Sequence, residues 1–553
     1  MSMSGRDRPV QATDAEISSA PAVPMAGGVS WVLVSDGGIV ARQRLPCVRC
    51  HRYEGVSPGP CVQWKCSWKM SEGSINRIRS RNHGGGRRSV TVLEAIQETL
   101  SRVHRSNRVL NAFSHVADVS ALSAADKMDR QVPAHDAKSA PLAGVPFAVG
   151  DLDECRGMPT RYGSNLHQHA RPSALEGPMV HRLRAAGAIP IGKTAVSEFG
   201  WGPVARTATG AVARNPWRWT RSPGGGGGGA AAAVAAGLVP FAIGSHWCGG
   251  IRISAAHCGV VGFKPSQGLI PLSGLCTPGS YGGDLHCAGL LTTSVADAAL
   301  LLELVAGPYP YDRASSVHHP QPYVDQVSQP TPPRVRLGWL SDPIRSQGDS
   351  ETSTLARAAA TQVAAVFGAR MMMVELALGD TDALMTPATV GLATMLEAAG
   401  SVYHSLEECG PDVRAVVATV IDAKAGVSGL LARLAHAEQC RMRLQIRTTE
   451  VFERVDVLLT VAAPDAAPAV VDDGADGLGQ GLGVESRDVL ANACWLPAVS
   501  VPVGFSSAGL PVGLQVIGRY GQDSMVLAVA RVVEQVCAHR PMRHEMTIEQ
   551  GIR

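Results

Sequence analysis

Six consecutive glycines, Gly224 to Gly229, run straight into Ala230-Ala231-Ala232-Ala233, and this junction constrains the fold of the 553-residue chain more than any other stretch. Alanine favours a helix and glycine does not, so the stretch reads as a loop entering a helix N-terminus. Such a loop exposes backbone N–H groups and can cradle an anion or an oxyanion. It is not a Walker-type phosphate loop, because no Lys-Ser/Thr follows the glycines. The competing reading is a tight turn that lets strand and helix pack closely. The run alone does not separate the two.

Its surroundings alternate between strand and helix from Pro141 to Gly307. Val145–Val149, Ala188–Ile191 and Leu238–Ile243 are short apolar runs of strand type. Val180–Ala186 and Ala230–Ala236 read as helices, and Ser294 with Asp297 caps another that runs to Gly307. Upstream, Thr91 and Glu94 have capping-box spacing, and Val92, Ile96, Leu100 and Val103 follow at the helical period. Downstream, 308–333 reads as a surface connection and 352–447 as largely helical. Val335–Leu340, Val455–Val461, Ala498–Val503 and Leu514–Ile517 read as further strands, and 464–484 as a loop. This pattern predicts an α/β fold: a mixed twisted central sheet covered by helices on both faces.

With 45% hydrophobic and 18% charged residues the chain can bury a core. A net charge of +3 argues for no polyanionic partner, yet Gly37 to Arg88 holds eleven Lys and Arg against two Glu. Residues 1–36 are expected to be a disordered tail, 37–88 a basic Cys/Gly-rich segment, and 89–545 one large domain. Within the basic segment, Cys47, Cys50, Cys61 and Cys66 are low-ranking zinc candidates, with His51 beside them. Tyr53, Trp64 and Trp68 interleave with Arg and Lys as on some single-strand nucleic-acid surfaces. A disordered basic arm is preferred to either. The 13 cysteines are odd in number and scattered, and no signal peptide or membrane span is read, so the cytoplasm is the expected compartment.

Three motifs stand close together. They are Pro141-Leu142-Ala143-Gly144-Val145-Pro146-Phe147-Ala148-Val149-Gly150-Asp151, then Arg221-Ser222-Pro223 with the glycine run, then Gly249-Gly250-Ile251-Arg252-Ile253 with Cys258-Gly259-Val260-Val261-Gly262-Phe263-Lys264-Pro265. Gly192-Lys193-Thr194, Leu496-Pro497-Ala498-Val499-Ser500-Val501-Pro502 and Gly509-Leu510-Pro511-Val512-Gly513 extend the pattern. Together they resemble the amidase signature family, which hydrolyses or transfers amides and needs no metal or organic cofactor. The resemblance implies a Ser-cisSer-Lys triad, in which a neutral lysine draws a proton through a bridging serine from a nucleophilic serine, and backbone N–H groups hold the oxyanion. The lysine should precede Asp151, where this chain has Gly150. The bridging serine should be the third residue of the loop, which is Gly226. The nucleophile should precede Ile251-Arg252, where Gly250 stands.

All three reacting groups are therefore expected to be absent. The oxyanion loop, by the same resemblance, is Trp247, Cys248, Gly249 and Gly250. The family's Thr-Asp-Thr-Gly lead-in reads Ser245-His246-Trp247-Cys248, and its Asp-His-Val-Gly-Pro reads His286-Cys287-Ala288-Gly289-Leu290. Trp247 is expected to fill part of the pocket. His246 and Cys248 are the candidate substitute groups, since a Cys-His pair can make a thiolate, though drifted packing residues are the preferred reading. Lys193 and Lys264 are read as structural. The function expected is a non-catalytic amidase homologue that either binds a small amide or carboxylate at the old site or has lost its role. The alternatives are an amide hydrolase or amidotransferase-like subunit using substitute groups, and an interaction protein acting through its N-terminal arm.

Overall fold

The computed structural model describes residues 31–34, 38–41, 75, 90–131, 140–272, 285–329, 334–341, 350–376, 384, 386, 407–420, 426–470 and 486–537. Backbone contacts divide the chain into Met1–Trp68 and Lys69–Arg553. In the first unit β1 (Trp31–Val34) pairs antiparallel with β2 (Gly38–Ala41). The zinc candidates Cys47, Cys50, Cys61 and Cys66 lie outside the described residues.

The second unit is built on β3 (Phe113–Val116), β4 (Pro146–Gly150), β5 (Ile189–Thr194), β6 (Phe241–His246), β7 (Val261–Lys264), β8 (Cys287–Thr292), β9 (Leu337–Leu340), β10 (Met372–Val374), β11 (Val457–Val461), β12 (Ala498–Phe505) and β13 (Pro511–Gly518). They make one mixed sheet in the order β10-β9-β11-β13-β12-β7-β8-β6-β4-β5-β3. β4 runs parallel to both β5 and β6. β6, β8, β7, β12, β13 and β11 pair antiparallel in turn. Every residue of β4, β5, β6, β7, β8 and β13 is buried. A strand hidden on both faces needs cover on both, so the α/β expectation holds.

Local chemistry explains the helices. In α1 (Val92–Leu110) Thr91 Oγ1 accepts from the Glu94 N–H, while the Glu94 carboxylate accepts from the Thr91 N–H. The same logic starts the helix Val295–Val305, where the Ser294 hydroxyl accepts from the Asp297 N–H. Ala230 to Val234 form the buried middle of α2 (Gly228–Ala235), packed in a cluster with Val92, Ile96, Ala148 and Ile251. A second cluster gathers Leu152, Phe199, Trp247 and Cys248 with Val413, Phe452 and Leu458.

Three expectations shift. Leu238–Ile243 is a strand only from Phe241, and it runs on to His246. Pro240, which has no N–H for the ladder, stands immediately before it. The stretch 352–447 is not helix throughout, since β10 adds an edge strand parallel to β9. The connection 308–333 carries a 3-10 turn, Arg313–Val317, and a short helix, Tyr323–Ser328.

Candidate functional site

Gly150 ends β4, Gly226 lies in the loop before α2, and Gly250 opens a helix, α3 (Gly250–Cys258). The fold brings Gly226 and Gly250 together and sets Gly150 against the neighbouring strand β6. A Cβ at Gly250 would lie 3.4 Å from Gly226 Cα, and one at Gly150 would lie 3.2 Å from Gly244 Cα on the neighbouring strand β6. The site falls on the seam between the two apolar clusters: Ala148 and Ile251 belong to one, Leu152 and Cys248 to the other.

The glycine run is not uniform. At Gly225 a Cβ would stand 2.0 Å from the Gly202 carbonyl oxygen, and at Gly229 it would stand 2.5 Å from the Ala112 and Ala195 oxygens. At Gly227 and Gly228 the nearest atoms are at 2.9 Å, and Gly224 has φ +106° with Ser254 Oγ at 2.4 Å. Only Gly226 has ordinary space, its nearest neighbour being the Gly200 oxygen at 3.7 Å. Gly226 and Gly250 also keep accessible surface, whereas Gly225, Gly227 and Gly249 are buried. Gly249, at φ 90°, is a backbone position that only glycine adopts without strain. Gly150, Gly226 and Gly250 have no such φ. So Gly225, Gly227 and Gly229 are held to glycine by close backbone approach, Gly224 by its positive φ and the Ser254 side chain, and Gly228 by the Ala205 and Pro223 side chains, while the third position, Gly226, has room.

Trp247 is buried, donates from Nε1 to the Phe199 oxygen at 3.0 Å, and lies on the His286 ring at 4.5 Å. Its Nε1 would be 2.5 Å from a Cβ on Gly200, the residue whose carbonyl faces Gly226. The indole therefore packs one residue away from the loop position that has space.

Cys248 is buried in the apolar cluster around Phe199 and Trp201. The His246 ring does not turn to it. Nε2 lies 3.4 Å from Cys287 Sγ, and Nδ1 is buried without a hydrogen-bond partner. Asn492 Nδ2 reaches the same sulfur at 3.1 Å, and Asn492 Oδ1 accepts from buried Arg252 at 2.6 Å. Burial, reinforced by Arg252, Lys264 and His286, holds the His246 imidazole well below its ordinary pKa, and burial pushes the Cys287 thiol up. Both changes favour the neutral pair over an imidazolium–thiolate pair. Cys287 is the sulfur that sequence spacing missed: it stands directly across the antiparallel β6–β8 ladder from His246.

On the β4 side, Lys193 is fully buried and donates to the Asp153 carbonyl oxygen and to Thr160 Oγ1, with Asp151 Oδ1 at 3.6 Å. Asp151 also accepts from Ser114 Oγ at 2.9 Å and from the Arg161 N–H at 3.0 Å. Asp153, also missed by the sequence reading, accepts the Ser245 N–H at 2.9 Å and is pushed up to about 6 by burial. Lys264 donates to the Pro265 oxygen at 2.7 Å, and burial lowers it to about 8. Among the described residues no group of three or more His, Cys, Asp or Glu is arranged to hold a metal ion, and no helix is long and apolar enough to cross a membrane.

A family model described as Amidase matches residues 94–527. Among known proteins, the chain is 30% identical over 530 residues to the chloroplastic/mitochondrial A subunit of glutamyl-tRNA(Gln) amidotransferase from Oryza sativa subsp. indica, covering 90% of this chain and 95% of that protein. It is 31% identical over 482 residues to the corresponding A subunit from Symbiobacterium thermophilum, covering 84% and 97%. Among solved structures, 6-aminohexanoate cyclic dimer hydrolase in complex with substrate superposes with a TM-score of 0.71 at 27% identity, covering 85% of this chain and 98% of that one. The A subunit of glutamyl-tRNA(Gln) amidotransferase from Thermotoga maritima gives 0.66 at 26%, covering 81% and 95%. By family model, by relatives spanning nearly their full length and by fold, the chain belongs to the amidase signature family.

Proposed function

We propose that this chain is an amidase-family protein that has lost serine acyl transfer and keeps the site as a pocket for a small amide or carboxylate. One observation carries the reading. Gly226 is the single glycine of the run with room for a side chain, and it sits beside Gly250, where the family nucleophile is expected. A hydroxyl at either position is compatible with the backbone, and neither is present.

The kinetic consequence follows from general experience with hydrolase triads. Deleting every member leaves roughly 10³ to 10⁴ over water from the oxyanion hole and binding, whereas enzymes work at about 10⁶ or more. The test is incubation with aryl amides and a fluorophosphonate probe. No stoichiometric adduct and no turnover at enzyme rates support the reading; either one refutes it.

A second reading, an active amidotransferase-like subunit, is favoured by the names of the relatives. It needs a substitute nucleophile, and the His246–Cys287 contact offers one as well as Cys248 does. Turnover abolished by Cys248→Ala or by Cys287→Ala would establish it.

A further inference from the structure

Phe199 takes a backbone conformation that a bulky residue rarely adopts, φ 50° and ψ 22°. Its N–H donates to the oxygen of Tyr162, which itself sits at φ 53°, and the two rings stack at 6.2 Å. Strain of this kind persists only where the surroundings impose it. The same short stretch walls the glycine loop. The Gly200 oxygen faces Gly226, the Gly202 oxygen abuts Gly225, and the Phe199 oxygen accepts from Trp247.

A distant segment packs against this wall. Cys409 and Gly410 lead into a helix, α4 (Pro411–Val420). Glu198 joins the two: Oε2 accepts the N–H of Gly410, 212 residues further along the chain, at 2.7 Å, and Oε1 accepts from Ser164 Oγ at 2.6 Å. The Ser164 bond anchors the carboxylate to the wall independently of the segment. Glycines stand on both sides of the contact. A Cβ on Gly410 would lie 2.9 Å from Glu198 Oε2, and one on Gly202 would lie 2.5 Å from Asp412 Oδ2. Cys409, Val413 and Val417 are buried in the cluster that holds Phe199, Trp201 and Trp247.

The contact is built to part. Among the described residues the buried apolar anchors of the segment are small, a thiol and two valines, and they hide less apolar area than the leucines and aromatics of the core. Elements with little buried apolar area are the ones that open without global unfolding. Two carboxyls also meet there. Burial raises the Glu198 carboxyl above its ordinary range against the Ser164 and Gly410 donors and the Arg414 charge, and Asp412 adds to the rise. The Arg414 guanidinium donates to the Glu407 and Cys409 oxygens of its own segment, so these bonds survive when the segment lifts away.

We propose that residues 409–420 form a cover latched by Glu198 over the wall of the bare centre, and that this cover opens while the rest of the fold stays intact. Opening takes the Gly410 N–H from Glu198, rehydrates that carboxylate and lets Phe199 leave its left-handed conformation, so the cover and the wall at 199–202 change together. The proposal goes beyond the loss of acyl transfer and does not depend on it.

The reporter is the Cys409 thiol, with buried Cys258 as the control for global unfolding. The full chain is treated with iodoacetamide under native conditions, and the rate at each thiol is read by peptide mass mapping. In the wild type Cys409 should label about tenfold faster than Cys258 or more. Low urea should accelerate Cys258 and leave Cys409 nearly unchanged, because local opening exposes little surface. Glu198→Ala should speed Cys409 by about a further tenfold and leave Cys258 unchanged. Glu198→Gln, whose amide oxygen still accepts the Gly410 N–H, should label like the wild type. Cys409 tracking Cys258 at every urea concentration overturns the proposal. So does a Glu198→Ala variant that leaves Cys409 unchanged or speeds both thiols alike, and so does Glu198→Gln labelling as fast as Glu198→Ala. Should Glu198→Ala fail to fold, Gly410→Ala pushes the carboxylate off its bond instead and should speed Cys409 in the same way, and an unchanged rate there overturns the proposal. Fluorophosphonate labelling bears only on the loss of acyl transfer, and neither of its results changes the thiol rates expected here.

Discussion

Gly225→Ala and Gly226→Ala are adjacent substitutions with opposite expected signs. At Gly225 the new methyl would stand 2.0 Å from the Gly202 carbonyl oxygen, about 1 Å inside any tolerated contact, and backbone must move to relieve it. Overpacking of that kind costs about 3 kcal/mol or more. At Gly226 the nearest atom is 3.7 Å away and φ is not positive. There the substitution mainly removes freedom from the unfolded chain, a gain of roughly 0.4–1 kcal/mol. The gap between the two variants is therefore about 3–4 kcal/mol, several hundredfold in the folded-to-unfolded ratio. Urea unfolding followed by tryptophan fluorescence measures it as a difference in midpoint. If Gly226→Ala loses as much as Gly225→Ala, the fold demands glycine at the third loop position, and the argument that a side chain has been lost there fails.

The remaining predictions concern the charges, the indole and the thiols. The folded pKa of Asp153, about 6, lies above its ordinary 3.8, so the native state holds this proton longer than the unfolded chain. Stability is thus lost as pH rises between about 4 and 6, and Asp153→Asn should stabilise by about 3 kcal/mol above pH 6 and by nothing below pH 4, read from unfolding curves across pH. Trp247→Ala removes an indole packed on His286 and Phe199 and should cost about 3–5 kcal/mol by denaturant unfolding; a change under about 1 kcal/mol would deny the indole a packing role. Cys287, buried and neutral beside His246, should alkylate with iodoacetamide only as the protein unfolds, well after half-exposed Cys440 and Cys537, as peptide mass mapping would show. Rapid labelling of Cys287 in the native state would instead mark a thiolate.

Legibility from sequence followed the range of the interactions. The Thr91–Glu94 capping box and the Ser294 cap were readable because their partners lie three residues apart. The approach of position 226 to position 250 was implied by the family resemblance, and the parallel β4–β6 pairing sets Gly150 beside Gly244. What sequence could not resolve was contact across the sheet. His246 and Cys248 are close along the chain, yet the strand carries the imidazole to Cys287, 41 residues away. Asp153 is one acidic residue among several in Asp151-Leu152-Asp153-Glu154, and the packing of β4 against β6 sets its carboxylate on the Ser245 N–H and 3.2 Å from the Cβ position of Gly150. Composition does not rank the six glycines; the family resemblance singles out Gly226, and the distances around each one show that this position alone in the run has ordinary space for a side chain.

Intact-protein mass spectrometry after exposure to a fluorophosphonate, run beside an aryl-amide turnover assay, tests the claim of lost acyl transfer most directly. The wild-type chain should show an unchanged mass and no turnover. One phosphonate adduct per chain, with matching loss of amide hydrolysis, would contradict the account.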